Sequence, residues 1–178
     1  MYKWLMAILA FHMIFLLRIV CQAAAVPDQS GYASLDELSG SDQAVVRVYC
    51  APVPYAGPFA THAWFVIKAA DDVAFERWEL WQDAGGPWGH IRRNLLAPES
   101  HVGAGFAYVH AELIGDEAAP IVRFIRESSP TYPCRNHYDI LGPNSNTYPQ
   151  WVLNRTGWRV KLPPSAIGKD AACAADNP

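Results

Sequence analysis

The chain has 178 residues, 51% of them hydrophobic and 17% charged, with a net charge of −3 and a pI near 6.0. That balance excludes a disordered chain, because enough apolar surface is present to offset the entropy of ordering one core. It also excludes a phosphate-backbone binder, since the 14 Lys and Arg residues are scattered and outnumbered by acids, so nucleic acid is not an expected partner.

The chain opens with Lys3 and an apolar run from Leu5 to Leu17, followed by Cys21-Gln22-Ala23-Ala24-Ala25 before Val26-Pro27-Asp28. A basic start, an apolar stretch and an Ala-x-Ala site read as an export signal over residues 1–25, cleaved after Ala25. The alternative is an uncleaved membrane tether over residues 4–20, although Arg18 leaves its unbroken run short of the ~20 residues a span needs. A lipoprotein signal ending at Cys21 ranks third. Either main reading places the protein outside the cytoplasm, in the periplasm or cell envelope.

Residues 26–43 are rich in Ser, Gly, Asp and Gln and read as a flexible linker. A single globular domain is expected over 44–170, with a mobile tail over 171–178. Val45 to Tyr49 and His62 to Ile67 read as strands, the second buried on both faces. Phe75 to Trp81 and Ile91 to Leu96, parted by Gly85-Gly86-Pro87, read as a hairpin, and Glu112 to Ile114 as a short fifth strand. Ala118, Ile121, Val122 and Ile125 then fall at helical spacing, with Asp116 as cap and Pro120 in the first turn. Asn144 or Ser145 caps a second helix carrying Trp151, Val152 and Leu153. The expected fold is α+β: a mainly antiparallel sheet of four or five strands with two principal helices packed on it.

Removal of a signal leaves Cys50, Cys134 and Cys173. An exported compartment permits one disulfide plus one free thiol, and Cys173, in the tail, is the easiest to leave out. The six His residues show no ligand spacing, so no metal and no cofactor are expected.

The polar residues that could carry chemistry are His62, opening a strand, and Ser145, at a helix start. There, unpaired N–H groups could stabilise a deprotonated nucleophile and an oxyanion. His90 could orient His62 from a neighbouring strand, and Asn144 and Asn146 could support the oxyanion or the turn. Lys169 could replace His62 as base or simply form a surface ion pair. Trp78, Trp81, Trp88 and Tyr108 could line a glycan groove or fill the core. Against all of this stands a purely structural reading, in which Asn144 and Ser145 only cap a helix.

Gly142-Pro143-Asn144-Ser145-Asn146-Thr147-Tyr148 and Leu162-Pro163-Pro164-Ser165-Ala166-Ile167-Gly168-Lys169-Asp170 resemble the two signature segments of the bacterial family called domain of unknown function 3750. Pro143, Thr147, Gly168, Lys169 and Asp170 belong to that signature. Val46-Arg47-Val48-Tyr49 and His62 to Lys68 resemble its opening strands, so the resemblance runs from about Val45 to Asp170. The chain departs from it at Tyr148, where Phe is expected, and at Pro149. More distantly, His62-Ala63-Trp64-Phe65-Val66 and Asn144-Ser145-Asn146-Thr147-Tyr148 are similar to circularly permuted papain-like hydrolases, with Ser145 at the nucleophilic Cys position. That resemblance implies an exported Ser/His hydrolase of amide or ester bonds, acting on an envelope substrate. The rival expectation is a non-catalytic envelope domain that binds a glycan, peptide or protein partner.

Overall fold

The computed structural model describes residues 26–103 and 105–173, together with Met6. Apart from Met6, the expected signal or tether over residues 1–25 lies outside the described residues, as do residues 174–178.

Five strands form one antiparallel sheet: β1 (Val45–Val53), β2 (Gly57–Lys68), β3 (Glu76–Leu80), β4 (Ile91–Arg93) and β5 (Tyr108–Ile114), in the order β4-β3-β2-β1-β5. Among residues 26–173 the described α-helices are α1 (Leu35–Ser39), α2 (Ala119–Ser128) and α3 (Thr147–Thr156), with a 3-10 turn at Ser129–Thr131. The expected α+β architecture is therefore the one observed.

The sheet is buried on both faces, and the period-two alternation of the strands sorts their side chains. Val46, Val48 and Cys50 of β1, with Ala63, Phe65 and Ile67 of β2, meet Ile121, Val122 and Ile125 of α2 and Tyr148, Val152 and Leu153 of α3. Each large apolar side chain fully buried there contributes roughly 1.5–3 kcal/mol. Tyr49, Ala51, Trp64 and Val66 point to the opposite face, where Leu35 of α1 covers them.

That cover corrects the reading of residues 26–43 as a flexible linker. Ser34 and Glu37 form a reciprocal capping box that starts α1, which satisfies two otherwise unpaired backbone donors. Charged side chains of the sheet then pin the segment. Arg47 Nη2 donates to Ala33 O at 2.6 Å and Lys68 Nζ to Ser41 O at 2.7 Å, while Gln29 brackets the backbone of Val109.

Other differences are local. β4 stops at Arg93 because Asn94 turns with φ 56° and exchanges hydrogen bonds with the backbone of Arg77. β5 begins at Tyr108, well before the expected Glu112. Ala118, not Asp116, holds the cap position of α2 and makes no side-chain cap bond. α3 begins at Thr147, with Asn146 rather than Asn144 or Ser145 at its cap position.

The two departures from the family pattern are absorbed by this geometry. Tyr148 is fully buried and its hydroxyl pairs with Ser129 Oγ at 2.7 Å. Pro149 lies in the first turn of α3, where a missing N–H costs nothing.

The cysteines are paired otherwise than expected. Cys134 and Cys173 form a disulfide, with Cα atoms 5.4 Å apart, and among the described residues Cys50 is the free thiol. Cys173 is buried against Tyr132, so the tail is anchored through that residue. Burial pushes the Cys50 thiol up to about 12.

Candidate active site

The expected site residues gather at the end of the sheet marked by the β1–β2 turn. His62 pairs with Ala51 of β1, and its ring lies 5.5 Å from that of Trp81, edge to face. It is 5% exposed and belongs to the face opposite α2 and α3. There the alternation of β3 also presents Arg77 and Glu79.

His62 Nε2 lies 2.8 Å from Glu79 Oε2, and Glu79 is completely buried. Arg77 Nη2 donates to the same oxygen at 2.8 Å. Arg77 Nε and Glu79 Oε1 are also 2.8 Å apart, but the N–H direction misses the oxygen, so this contact is electrostatic rather than a formed hydrogen bond. The guanidinium is held from its other side by the carbonyls of Ala97 and Ser100, and it lies 4.1 Å over the Trp64 ring. Burial alone would raise the Glu79 carboxyl. The hydrogen bond and charge of His62 and those of Arg77 outweigh it, and hold Glu79 below its ordinary range,. The result is a histidine oriented by an ionised carboxylate, with Nδ1 as the ring nitrogen that Glu79 does not occupy.

Glu79, not His90, orients His62. His90 is buried in its own environment, with Nδ1 3.1 Å from Trp81 O and its ring 5.6 Å from Tyr138. Sequence reasoning missed Glu79. The signal available was the spacing of Arg77 and Glu79, two residues apart in an otherwise apolar strand, which puts opposite charges on one face.

Ser145 is 7% exposed. It neighbours the phenol of Tyr138, whose titration burial raises and the Ser145 hydroxyl and backbone N–H lower, with a net upward shift. No bond joins Ser145 to His62 among the described residues. What links them is Asn146: its Oδ1 accepts from Ala63 N at 3.0 Å and its Nδ2 donates to Thr61 O at 2.7 Å. The residue after Ser145 therefore clamps the backbone on both sides of His62.

Of the backbone donors expected to hold an oxyanion, Asn146 N–H is engaged: it donates to Asn144 Oδ1 at 2.9 Å. The signature residues around them lock the two segments together. Thr147 Oγ1 donates to Gly168 O at 2.6 Å and accepts from Asn144 N. Gly168 has φ 80°, and a Cβ there would lie 2.3 Å from Asn144 Nδ2, so only glycine fits. Pro143 follows Gly142, which itself packs on Gly168. Lys169 pairs with exposed Asp170 at 3.6 Å, a surface ion pair rather than a base for Ser145.

Residues 43–171 match the family described as "Protein of unknown function (DUF3750)". The chain belongs to the DUF3750 family. No curated protein and no solved structure matches it. The two segments of this DUF3750 domain that Thr147, Gly168 and Asn144 tie together both lie within the matched residues.

Among the described residues no group of three His, Cys, Asp or Glu side chains could hold a metal. Trp78, one of the residues considered for a glycan groove, is instead core, stacked on Trp88 at 5.5 Å. A cleft of about 730 Å³ runs along Trp158, Lys161, Leu162 and Lys169, and it does not include His62 or Ser145.

Proposed function

We propose that this DUF3750 domain is an exported Ser/His hydrolase of amide or ester bonds, distantly similar to circularly permuted papain-like hydrolases. The observation that carries the reading is the buried His62–Glu79 pair, on a strand whose backbone is clamped by the neighbour of Ser145. The Cys134–Cys173 disulfide supports the exported location, since such bonds persist in oxidising compartments.

In this mechanism a substrate carbonyl displaces the Tyr138 phenol from Ser145. Ser145 Oγ and His62 Nδ1, unbonded in the resting fold, come within reach of each other as substrate binds; Ser145 Oγ then passes its proton to His62 Nδ1 and attacks the carbonyl carbon, and the Ser145 N–H receives the developing oxyanion. The tetrahedral intermediate collapses to an acyl-serine as the imidazolium returns the proton to the leaving amine or alcohol. Water, deprotonated by His62, then hydrolyses the ester. Glu79 stays ionised throughout and stabilises the imidazolium.

Hydrolysis of a panel of 4-nitrophenyl esters and peptide anilides tests this. Ser145→Ala and His62→Ala are each expected to lower kcat by about 10³-fold or more; Ser145→Ala should melt close to the parent, while His62→Ala, which takes a buried partner from Glu79, should melt lower and is assayed well below its own melting temperature. Turnover unchanged by Ser145→Ala would remove Ser145 from the chemistry. It would leave the rival reading, a binding domain, for which the cleft beside Trp158 is the specific support.

Tyr138→Phe makes a second prediction. Losing the phenol that competes for Ser145 is expected to speed acylation about 2- to 10-fold, matching the 0.5–1.5 kcal/mol net value of a hydrogen bond. The burst phase with a 4-nitrophenyl ester measures it, and a slower burst would instead make Tyr138 a participant.

A further inference from the structure

The exposed apolar side chains are unevenly placed. Tyr55 lies in the β1–β2 turn and is fully exposed, and Phe59 begins β2 and is half exposed. Phe106 precedes β5 at 81% exposure, in a loop whose Gly103 and Gly105 back directly onto Pro54 and Pro52. Ile140 and Leu141 are 78% and 76% exposed, in the turn that leads into the start of α3. Ile167 lies beside Asn146, which donates to its carbonyl, and the same segment is tied to Thr61 through Ser165. All six belong to the end of the sheet that carries His62. Apolar side chains of this size gathered at one end of a domain and left in water are unfavourable and mark a surface that meets something apolar.

The N-terminal segment emerges at the same end. Gln29 brackets Val109, donating to its carbonyl and accepting from its N–H, and Val109, near the start of β5, pairs with Tyr49 midway along β1, from where the chain runs on past Arg47, away from the β1–β2 turn. Eight residues lie between Val20, the end of the apolar stretch, and Gln29, nine steps with a reach of at most about 32 Å. In the uncleaved alternative, a bilayer holding residues 4–20 would therefore lie within one short tether of Tyr55, Phe106 and Leu141. The net charge of −3 gives no attraction to anionic lipid, so the contact is apolar, with aromatic side chains at the level where Trp and Tyr favour the membrane interface.

We propose that this end of the sheet seats on the lipid bilayer that holds the N-terminal segment, with Tyr55, Phe59, Phe106, Ile140 and Leu141 entering its interfacial layer. The seating stands independently of whether Ser145 turns over a substrate.

The test uses the full chain, carrying Cys21→Ala, in phosphatidylcholine vesicles. A thiol-reactive bimane is placed by Tyr55→Cys, by Leu141→Cys and, as the far-end control, by Val73→Cys. The buried Cys50 and the disulfide leave the introduced thiol as the reactive one. Nitroxide-labelled lipid is expected to quench most of the emission from positions 55 and 141 and little from position 73, in low and high salt alike. Equal quenching at all three positions, or none at both 55 and 141, overturns the proposal, as does a chain that stays unbound to vesicles. A spectral shift at 55 and 141 in concentrated, lipid-free protein would assign the face to a second copy of the chain, and also overturns it.

Discussion

Replacing Glu79 by glutamine is expected to destabilise the fold by about 3–5 kcal/mol, the cost of leaving one partner of a buried ion pair uncompensated. Glu79 and Arg77 are both fully buried, so water cannot take over the role of the missing charge. In a domain of this size the loss corresponds to a fall in Tm of roughly 10 °C. The effect should also depend on pH with a definite sign. The fold holds the Glu79 carboxyl below its ordinary 4.5, so its ionised form stabilises the folded state throughout the range above that value. As pH falls below 4.5 and through the lower value in the fold, that stabilisation is lost. Urea unfolding of parent and Glu79→Gln should therefore differ most at neutral pH and converge in acid. A difference that is small at neutral pH, or one that grows in acid, would mean that Arg77 finds its compensation elsewhere.

Reduction of the Cys134–Cys173 bond is the second large effect. The bond closes a loop with a sequence separation of 39, for which chain entropy gives a stabilisation of about 4 kcal/mol. That loop contains Tyr138, Ser145 and the whole of α3, so the loss should be felt at the site as well as in the fold. Melting with and without reductant, and of Cys173→Ser, is expected to show the same fall of roughly 10 °C. Cys50→Ser should keep the parent's full response to reductant, because Cys50 takes no part in the disulfide. An unchanged melting temperature in reductant would contradict the disulfide's part in holding the helix start against the sheet.

Much of the fold could be read from side-chain alternation. The buried runs Val45 to Tyr49 and His62 to Ile67 and the helical spacing of Ile121, Val122 and Ile125 each named their element. The segment before β1 was misread because its composition is that of a linker, while its structure rests on one capping box, Ser34 with Glu37, and on long-range bonds from Arg47 and Lys68. Such bonds are set by which face each strand residue occupies, and that is known only once the register is. Cys173 was misplaced for a similar reason. Proximity to a chain end carries no information about which thiol the fold brings near.

At the site, His62 and Ser145 were legible as a strand start and a helix start, and the fold brings them to one end of the sheet. Glu79 was not legible as their companion. It lies on β3 at the right face only because Phe65 pairs with Trp78, a register that the sequence does not spell out. Tyr138 was missed altogether, because its contact with Ser145 comes from an irregular stretch between the disulfide and the turn at Gly142.

The central claim is that Ser145 is a nucleophile served by His62. The most direct measurement is reaction of the folded protein with a fluorophosphonate, read by intact mass and peptide mapping. The account predicts one adduct on Ser145, absent in Ser145→Ala and formed at least about 10²-fold more slowly in His62→Ala. A folded chain that takes no label on Ser145, or one labelled equally fast without His62, would contradict it.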